Sequence, residues 1–377
     1  MLIARQHYIG QIHNAFKVTP IVALLGPRQS GKTTLAKEFL KGYGEKKFIF
    51  DLEDPDYAFA FKNPKLVLDD LRGLIVIDEV QLSHEIFPYL RYYIDKAVDS
   101  KILLLGSASQ ELVQRSSETL AGRISYIEVT PFSLDEVGNS KKLWLKGGFP
   151  ASYLKEGEES FAWRKEYIKT YLERDIRELG FKISIENLRR FWMMLVNYHG
   201  QIFNASEIAR ALQLDQKTVK YYLDILCGTF MIRQLQPWHA NIAKRQVKSY
   251  KIYFRDSGIL HNFLNIKEEV DLSVSNKVGA SWEGFAMEQV IRKKNADIHD
   301  CFFWATQAGA EIDLLISHGQ KIQAFEFKYS SSPKITASMR NALVDLNLDE
   351  IKVIIPGTAS YFLDEKIRVI GLDRLFQ

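Results

Sequence analysis

The segment Gly26-Pro27-Arg28-Gln29-Ser30-Gly31-Lys32-Thr33, followed by Thr34, has the spacing G-x-x-x-x-G-K-[ST]. Glycines let backbone N–H groups close around phosphate oxygens, and a helix starting behind them adds its positive end. The spacing predicts a cradle for the phosphates of ATP. Lys32 is expected to reach the β- and γ-phosphates, and the Thr33 hydroxyl to ligate Mg²⁺.

Three further groups fit that chemistry. The run Ile75-Val76-Ile77-Asp78-Glu79 ends an apolar stretch in two acids. Asp78 is expected to hold Mg²⁺ and Glu79 to activate the attacking water. The plain alternative is a strand-end carboxylate capping the next helix. Gly106-Ser107-Ala108-Ser109 follows another apolar run. There Ser107, or Ser109, would sense the γ-phosphate; otherwise it is an ordinary strand-end turn. Arg123, in Leu120-Ala121-Gly122-Arg123, fits either a finger acting on a neighbouring subunit's ATP or a surface arginine. A fourth candidate, Arg174, is either a second sensor or one member of an ion-paired helix surface.

The elements that must hold these groups read clearly. Residues 2–16 have the pattern of an amphipathic helix. The stretches 21–26, 47–54, 73–80, 102–109 and 124–132 are strand-like, and helical stretches separate most of them. Strands apolar throughout, alternating with helices, imply a parallel sheet covered on both faces. The phosphate motif lies between the first strand and a helix, the context it requires. After Gly147-Gly148-Phe149-Pro150 the pattern becomes helical. Residues 204–230 read as helix, turn, helix, with Asn204 as a cap and two strand-like runs after them, the pattern of a winged helix. Lys217, Lys220, Arg233, Lys244, Arg245 and Lys248 follow in a stretch with one acid, Asp224. They are expected to contact DNA phosphates, with affinity falling steeply as salt rises. The alternative is a protein–protein or interdomain module.

The last third carries a second group of acids. Asp313 and Glu326-Phe327-Lys328 lie on two strand-like runs joined at His318-Gly319-Gln320, and Glu283 lies on the helix before. Alternation puts Glu326 and Lys328 on one face and Glu311 with Asp313 on one face. This order resembles the PD-(D/E)xK nuclease fold, in which Glu283, Asp313 and Glu326 would bind a metal and Lys328 would help activate water. The proline of that motif's name is replaced by Ile312. The same fold also serves non-cleaving modules.

The segments GPRQSGKTTL, DLEDPD, LIVIDEVQ, LLLGSASQ, LAGR and TPFSLDE resemble the prokaryotic AAA+ ATPases of the archaeal and bacterial, STAND-related branch that carry a C-terminal domain of unknown function. GGFPASYL, YLERDI, KIYFRDSGIL, WEGFAMEQ, FWATQAGAEIDLLI and EFKYS extend the likeness over nearly the whole chain. The resemblance implies ATP and Mg²⁺ as cofactors, with Gly26 to Thr34 as Walker A and Asp78-Glu79 as Walker B. In this chain Leu105 precedes the sensor glycine and Ala108 splits the serine pair, which leaves the sensor between Ser107 and Ser109.

Composition narrows the class. The 377 residues allow two or three domains, and 46% hydrophobic with 25% charged residues is ordinary for a globular protein. The two cysteines, Cys227 and Cys301, have no metal-like spacing. No signal-like N-terminus and no run of about 18 apolar residues is present, so a cytoplasmic protein without membrane contact is expected. The net charge of +4 does not by itself argue for nucleic acid.

The sequence thus predicts an α/β chain: an AAA+ P-loop core at 1–150, a helical lid at 151–200, a winged helix at 201–260 and a PD-(D/E)xK-like α/β domain at 261–377. The expected function is ATP hydrolysis coupled to DNA binding or remodelling, in a possible homo-oligomer. The alternatives are a STAND-like nucleotide switch with protein partners and an ATP-regulated metal-dependent nuclease.

Overall fold

The structure is a computed structural model that describes all residues except 1–2, 45, 84, 98, 108–119, 240–246 and 320. Ser109, Lys244, Arg245 and Gln320 lie outside the described residues. The chain is mixed α/β and forms two compact units. One is Met1–Pro131 with Gly228–Phe230; the other is Phe132–Cys227 with Met231–Gln377.

The first unit is built on a five-stranded sheet in the order β2-β3-β4-β1-β5. These are β1 (Ile21–Gly26), β2 (Lys47–Asp51), β3 (Leu74–Asp78), β4 (Lys101–Ser107) and β5 (Ile124–Glu128), and every pairing is parallel. β1 and β3 are buried at every residue, because each lies between two strands and under helices on both faces. Their alternate side chains enter two separate cores. Ile21, Ala23, Leu25, Ile75 and Ile77 face one, with Phe87, Leu90 and Tyr93 of the helix Ile86–Lys96. Val22, Leu24, Leu74 and Val76 face the other, with Ile12 and Phe16 of the helix Gln6–Val18 and Leu35 and Phe39 of the helix Lys32–Lys41. β2 is an edge strand, and its residues alternate between exposed and half-buried. Because all strands run one way, Gly26, Asp51, Asp78 and Ser107 end at the same edge, where ligands of open parallel sheets bind.

The second unit contains a nine-stranded sheet in the order β13-β14-β12-β11-β10-β9-β7-β8-β6. The helices Ile185–Leu195, Ala205–Leu212 and Gln216–Gly228 pack with β6 (Gln201–Ile202), β7 (Ile232–Pro237) and β8 (Lys251–Phe254). The Asn204 side chain accepts from the Glu207 N–H at 3.3 Å and so caps its helix. Ile208, Leu212, Val219, Leu223 and Leu226 are buried, as their spacing requires. β7 then pairs in parallel with β9 (Cys301–Ala305) through Gln236 and Pro237, so these strands and the C-terminal ones form a single sheet. It continues through β10 (Glu311–His318), β11 (Lys321–Phe327), β12 (Ile351–Ile355) and β14 (Ile367–Gly371) to the edge strand β13 (Ser360–Asp364).

Candidate functional site

Between β1 and the helix Lys32–Lys41 the backbone is bent by two residues of positive φ, Gln29 at 59° and Gly31 at 95°. The second is a conformation in which a side chain would be strained. Gly26 is needed for closeness instead: a Cβ there would lie 2.2 Å from the Val129 carbonyl oxygen.

Lys32 is buried, and its Nζ donates to the carbonyls of Gly26 and Pro27 at 3.0 and 2.8 Å. Burial lowers its pKa to about 8, against the attraction of Glu79 and Asp78. The ammonium is therefore the major form at neutral pH, held over the loop. The Thr33 hydroxyl donates to Asp78 Oδ2 at 2.7 Å, and Asp78 Oδ1 accepts from the Glu79 N–H at 2.9 Å. A hydroxyl and a carboxylate in contact are a donor set suited to Mg²⁺.

Glu79 adopts φ 52° and ψ 43°, a left-handed conformation uncommon for a residue with a side chain. Gln81 Nε2 donates to its carboxylate. Burial raises the Glu79 pKa, while Gln81, Lys32 and Arg28 pull it back. A carboxylate shifted upward is a stronger base than a free one. Sequence reasoning missed Gln81, whose only signal is its position two residues after Glu79. Arg28 lies 3.5 Å from Glu53.

Ser107 is paired with Gly26 in the β1–β4 register. Its Oγ and that of Ser30 are both buried with no hydrogen-bond partner among the described residues. Two such hydroxyls beside the loop suit a ligand rich in acceptor oxygens. Gly26 to Thr34, Asp78, Glu79 and Ser107 are thus gathered at one sheet edge.

Arg123 is not part of that cluster. Its carbonyl accepts from the Ile21 N–H at 3.1 Å, at the opposite end of β1. Five residues of strand separate the two ends, roughly 17 Å. Its guanidinium grips Asp95 with contacts of 2.9 and 3.1 Å. Arg174 lies in a π-helical turn, Tyr171–Asp175, and donates to Glu178 at 2.7 Å.

Among the basic residues of the second unit, Lys217, Lys220 and Lys248 are exposed. Arg233 departs from expectation: it is buried and forms a two-pronged pair with Glu288, one contact at 3.1 Å. Burial pushes the Glu288 carboxyl up, but Arg233, Arg255 and Arg292 outweigh it and hold its pKa at about 2. A guanidinium so enclosed cannot reach a phosphate backbone.

The C-terminal acids converge. Asp313 lies across from Glu326: its N–H donates to Glu326 Oε2 at 3.4 Å, and the Phe327 N–H donates to Asp313 Oδ2 at 2.9 Å. Lys328 Nζ holds Glu326 Oε1 at 2.7 Å. Tyr253 donates to Glu283 Oε1 at 2.6 Å, and Lys251 contacts both Glu283, at 3.8 Å, and Glu311. Burial, then the Asp313 charge, raises the pKa of both Glu283 and Glu326. Lys251 and Tyr253 were missed in the sequence, although alternation in Lys251-Ile252-Tyr253-Phe254 sets them on one face. Among the described residues no group of three or more His, Cys, Asp or Glu is arranged to hold a metal ion. No helix among the described residues is long and apolar enough to cross a membrane.

Comparison with known proteins matches residues 18–138 to an AAA domain. Residues 137–270 match a domain of unknown function, DUF8612, and residues 278–375 another, DUF4143. Among solved structures, the chain is similar to the Walker-type ATPase PABY2304 of Pyrococcus abyssi, with TM-score 0.43 and 16% identity over 70% of this chain and 96% of that one. It is also similar to the Thermotoga maritima RuvB Holliday junction branch migration motor, with TM-score 0.31 and 15% identity over 62% of this chain and 90% of that one. Two mycobacterial proteins, Mb2031c of Mycobacterium bovis and Rv2008c of Mycobacterium tuberculosis, are each 42% identical over 379 residues, spanning all of this chain and 85% of the relative. The chain belongs to the family of these two mycobacterial proteins, and its residues 18–138 are an AAA domain, the kind that binds and hydrolyses nucleotide.

Proposed function

We propose that this chain binds ATP with Mg²⁺ at Gly26 to Thr34 and hydrolyses it. The observation that carries the reading is the contact of Thr33 with Asp78, which joins the phosphate loop to the acidic end of β3. Thr33 and Asp78 would hold Mg²⁺. When bound, the ion supplies positive charge to the β- and γ-phosphate oxygens as negative charge shifts toward the leaving group. The backbone N–H groups of the loop and Lys32 cradle the phosphates. Glu79 orients a water toward the γ-phosphorus and takes its proton as the new P–O bond forms and the bond to ADP breaks. Ser107 hydrogen-bonds the γ-phosphate, consistent with its buried, unpartnered hydroxyl. Gln81 holds the Glu79 carboxylate in its orientation.

The finer reading is that turnover is coupled to DNA through a winged helix at 201–260. Exposed Lys217, Lys220 and Lys248 support it; Arg233 no longer does. Beyond it, residues 261–377 read as a PD-(D/E)xK-like module that does not cleave. Lys251 and Lys328 already pair with Glu311, Glu283 and Glu326, which offsets part of the negative charge a metal would need. Nicking of DNA with Mg²⁺ or Mn²⁺, lost in Asp313→Ala, would overturn that part.

The deciding experiment is steady-state ATP hydrolysis by the wild type and Glu79→Gln, with no DNA and with single-stranded, duplex and branched DNA. Hydrolysis lost in Glu79→Gln and stimulated by one DNA form is the expected result. Hydrolysis indifferent to every form would point to a nucleotide switch that acts on protein partners.

A further inference from the structure

Arg5 stands just before the helix Gln6–Val18 and is 25 residues from Ser30 in sequence, yet its buried guanidinium donates to the Ser30 carbonyl at 3.0 Å. Its other terminal nitrogen donates to the Thr130 carbonyl at 2.8 Å. The guanidinium lies over the Tyr8 ring, 4.6 Å from its centroid. Tyr8 is itself fixed: its hydroxyl accepts from the Thr130 N–H at 3.1 Å and lies 3.2 Å from Thr130 Oγ1. The fork of Arg5 is therefore set by two groups outside the loop, the Thr130 carbonyl and the Tyr8 ring.

The Ser30 carbonyl belongs to the peptide that carries the Gly31 N–H, and no described peptide is cis. In a trans peptide the C=O and the N–H point in opposite directions. Holding the carbonyl on Arg5 turns the Gly31 N–H to the opposite side of the peptide, away from the Arg5 guanidinium. Gly31, at φ 95°, has an intrinsically free backbone, so this plane would otherwise rotate readily. At the other end of the loop, Gly26 is pressed against the carbonyl of Val129, the neighbour of Thr130. The two ends of the loop thus rest on two adjacent residues beyond β5, Gly26 on Val129 and Ser30, through Arg5, on Thr130.

We propose that Arg5 is a positioning residue for nucleotide: it never touches the phosphates, but it fixes the Ser30–Gly31 peptide so that the Gly31 N–H is a phosphate donor before ATP arrives. The proposal rests on the nucleotide reading of the loop.

The test compares the full-length wild type, Arg5→Gln and Arg5→Lys by ADP binding, by KM and kcat for ATP, and by the Tm of the ligand-free protein. Losing one preset donor to a charged phosphate is worth about tenfold in affinity. Arg5→Gln is expected to raise the ADP Kd and the KM for ATP by about that factor, with kcat changed far less. Arg5→Lys keeps the charge but replaces the planar fork, whose two terminal nitrogens each reach one carbonyl, by a single nitrogen with no fixed plane, so it is expected to fall between. A residue with only a structural role would lower Tm and leave KM alone. Folded variants with wild-type KM overturn the proposal, as does failure of both to fold. A wild type that binds no nucleotide refutes the nucleotide reading itself, a result separate from either.

Discussion

Thr33 Oγ1 and Asp78 Oδ2 are 2.7 Å apart although 45 residues separate them. The hydroxyl follows the loop that starts at the end of β1, and the carboxylate ends β3, so the parallel direction of the strands brings them to one edge. Removing either should loosen Mg²⁺ more than it loosens nucleotide. Thr33→Val and Asp78→Asn are each expected to raise the Mg²⁺ concentration for half-maximal hydrolysis by at least about 10–100-fold, the cost of losing even a group that only supports a metal's ligands. A magnesium titration at saturating ATP measures this. Unchanged midpoints in both variants would remove the pair from the metal site.

Variants of Lys32 and Glu79 are expected to separate binding from chemistry. Lys32→Ala removes the buried ammonium that spans Gly26 and Pro27, and nucleotide binding is expected to disappear. Tight ATP binding in that variant would sink the assignment of the loop. Glu79→Gln keeps the shape and loses the base. It should bind ATP at wild-type affinity while turnover falls about 10²–10⁴-fold, the range for a lost general base. Unchanged turnover would assign proton removal elsewhere.

Much of this edge was legible because its strands are apolar throughout. Ile21 to Leu25 and Leu74 to Ile77 could only be buried strands, and each ends in a residue of the site. What was not legible depends on pairing between distant segments. Nothing in the run around Ser107 says that it adjoins Gly26, since strand order is decided by helix packing on both faces. Arg233 looked like a phosphate contact because the charge of a residue is visible in sequence but its partner, Glu288, is 55 residues away. β7 likewise shows no sign that it pairs with β9, and β13 went unseen because an edge strand with exposed Tyr361 and Phe362 lacks a clear alternation. Arg5 escaped notice for a simpler reason: a single arginine before an amphipathic helix has no motif.

Arg123 offers a sharper test now that its position is known. It lies at the end of the sheet away from Lys32 and holds Asp95, so it cannot serve its own subunit's site. If it acts, it acts on a neighbour. Arg123→Ala is then expected to lower turnover by about 10³ or more, and only under conditions where light scattering detects an oligomer with ATP. The lost surface pair with Asp95 should cost at most about 1 kcal/mol of stability. A protein that stays monomeric with ATP, or a variant with wild-type turnover in the oligomer, leaves Arg123 as a surface ion-pair residue.

His261 should make the second unit sensitive to acid. Its Nδ1–H donates to the Leu145 carbonyl at 2.9 Å, and its Nε2 accepts from the Ser281 hydroxyl at 2.7 Å, so the ring is neutral in the fold. Ser281 Oγ in turn accepts from Trp144 Nε1 at 3.0 Å. Burial lowers the His261 pKa to about 4, and that of His199, also buried, to about 3. In the unfolded chain a histidine titrates near 6.5. Between these values the unfolded state binds the extra proton, so stability is fully present above about pH 6.5 and is lost as pH falls toward about 4. Glu283 and Glu326, with raised values, titrate in the opposite sense, which makes the wild-type slope a mixture. His261→Asn keeps the donor to Leu145 and cannot titrate. It should start from a lower Tm at pH 7, yet its further drop on going to pH 5 should be smaller than the wild type's by roughly 2–3 °C, which corresponds to about 2 kcal/mol in a protein of this size. The other titrations are common to both proteins and cancel in the comparison. Equal drops would mean that His261 carries a proton in the folded state at pH 5, and the hydrogen bond it accepts from Ser281 would have to be reversed.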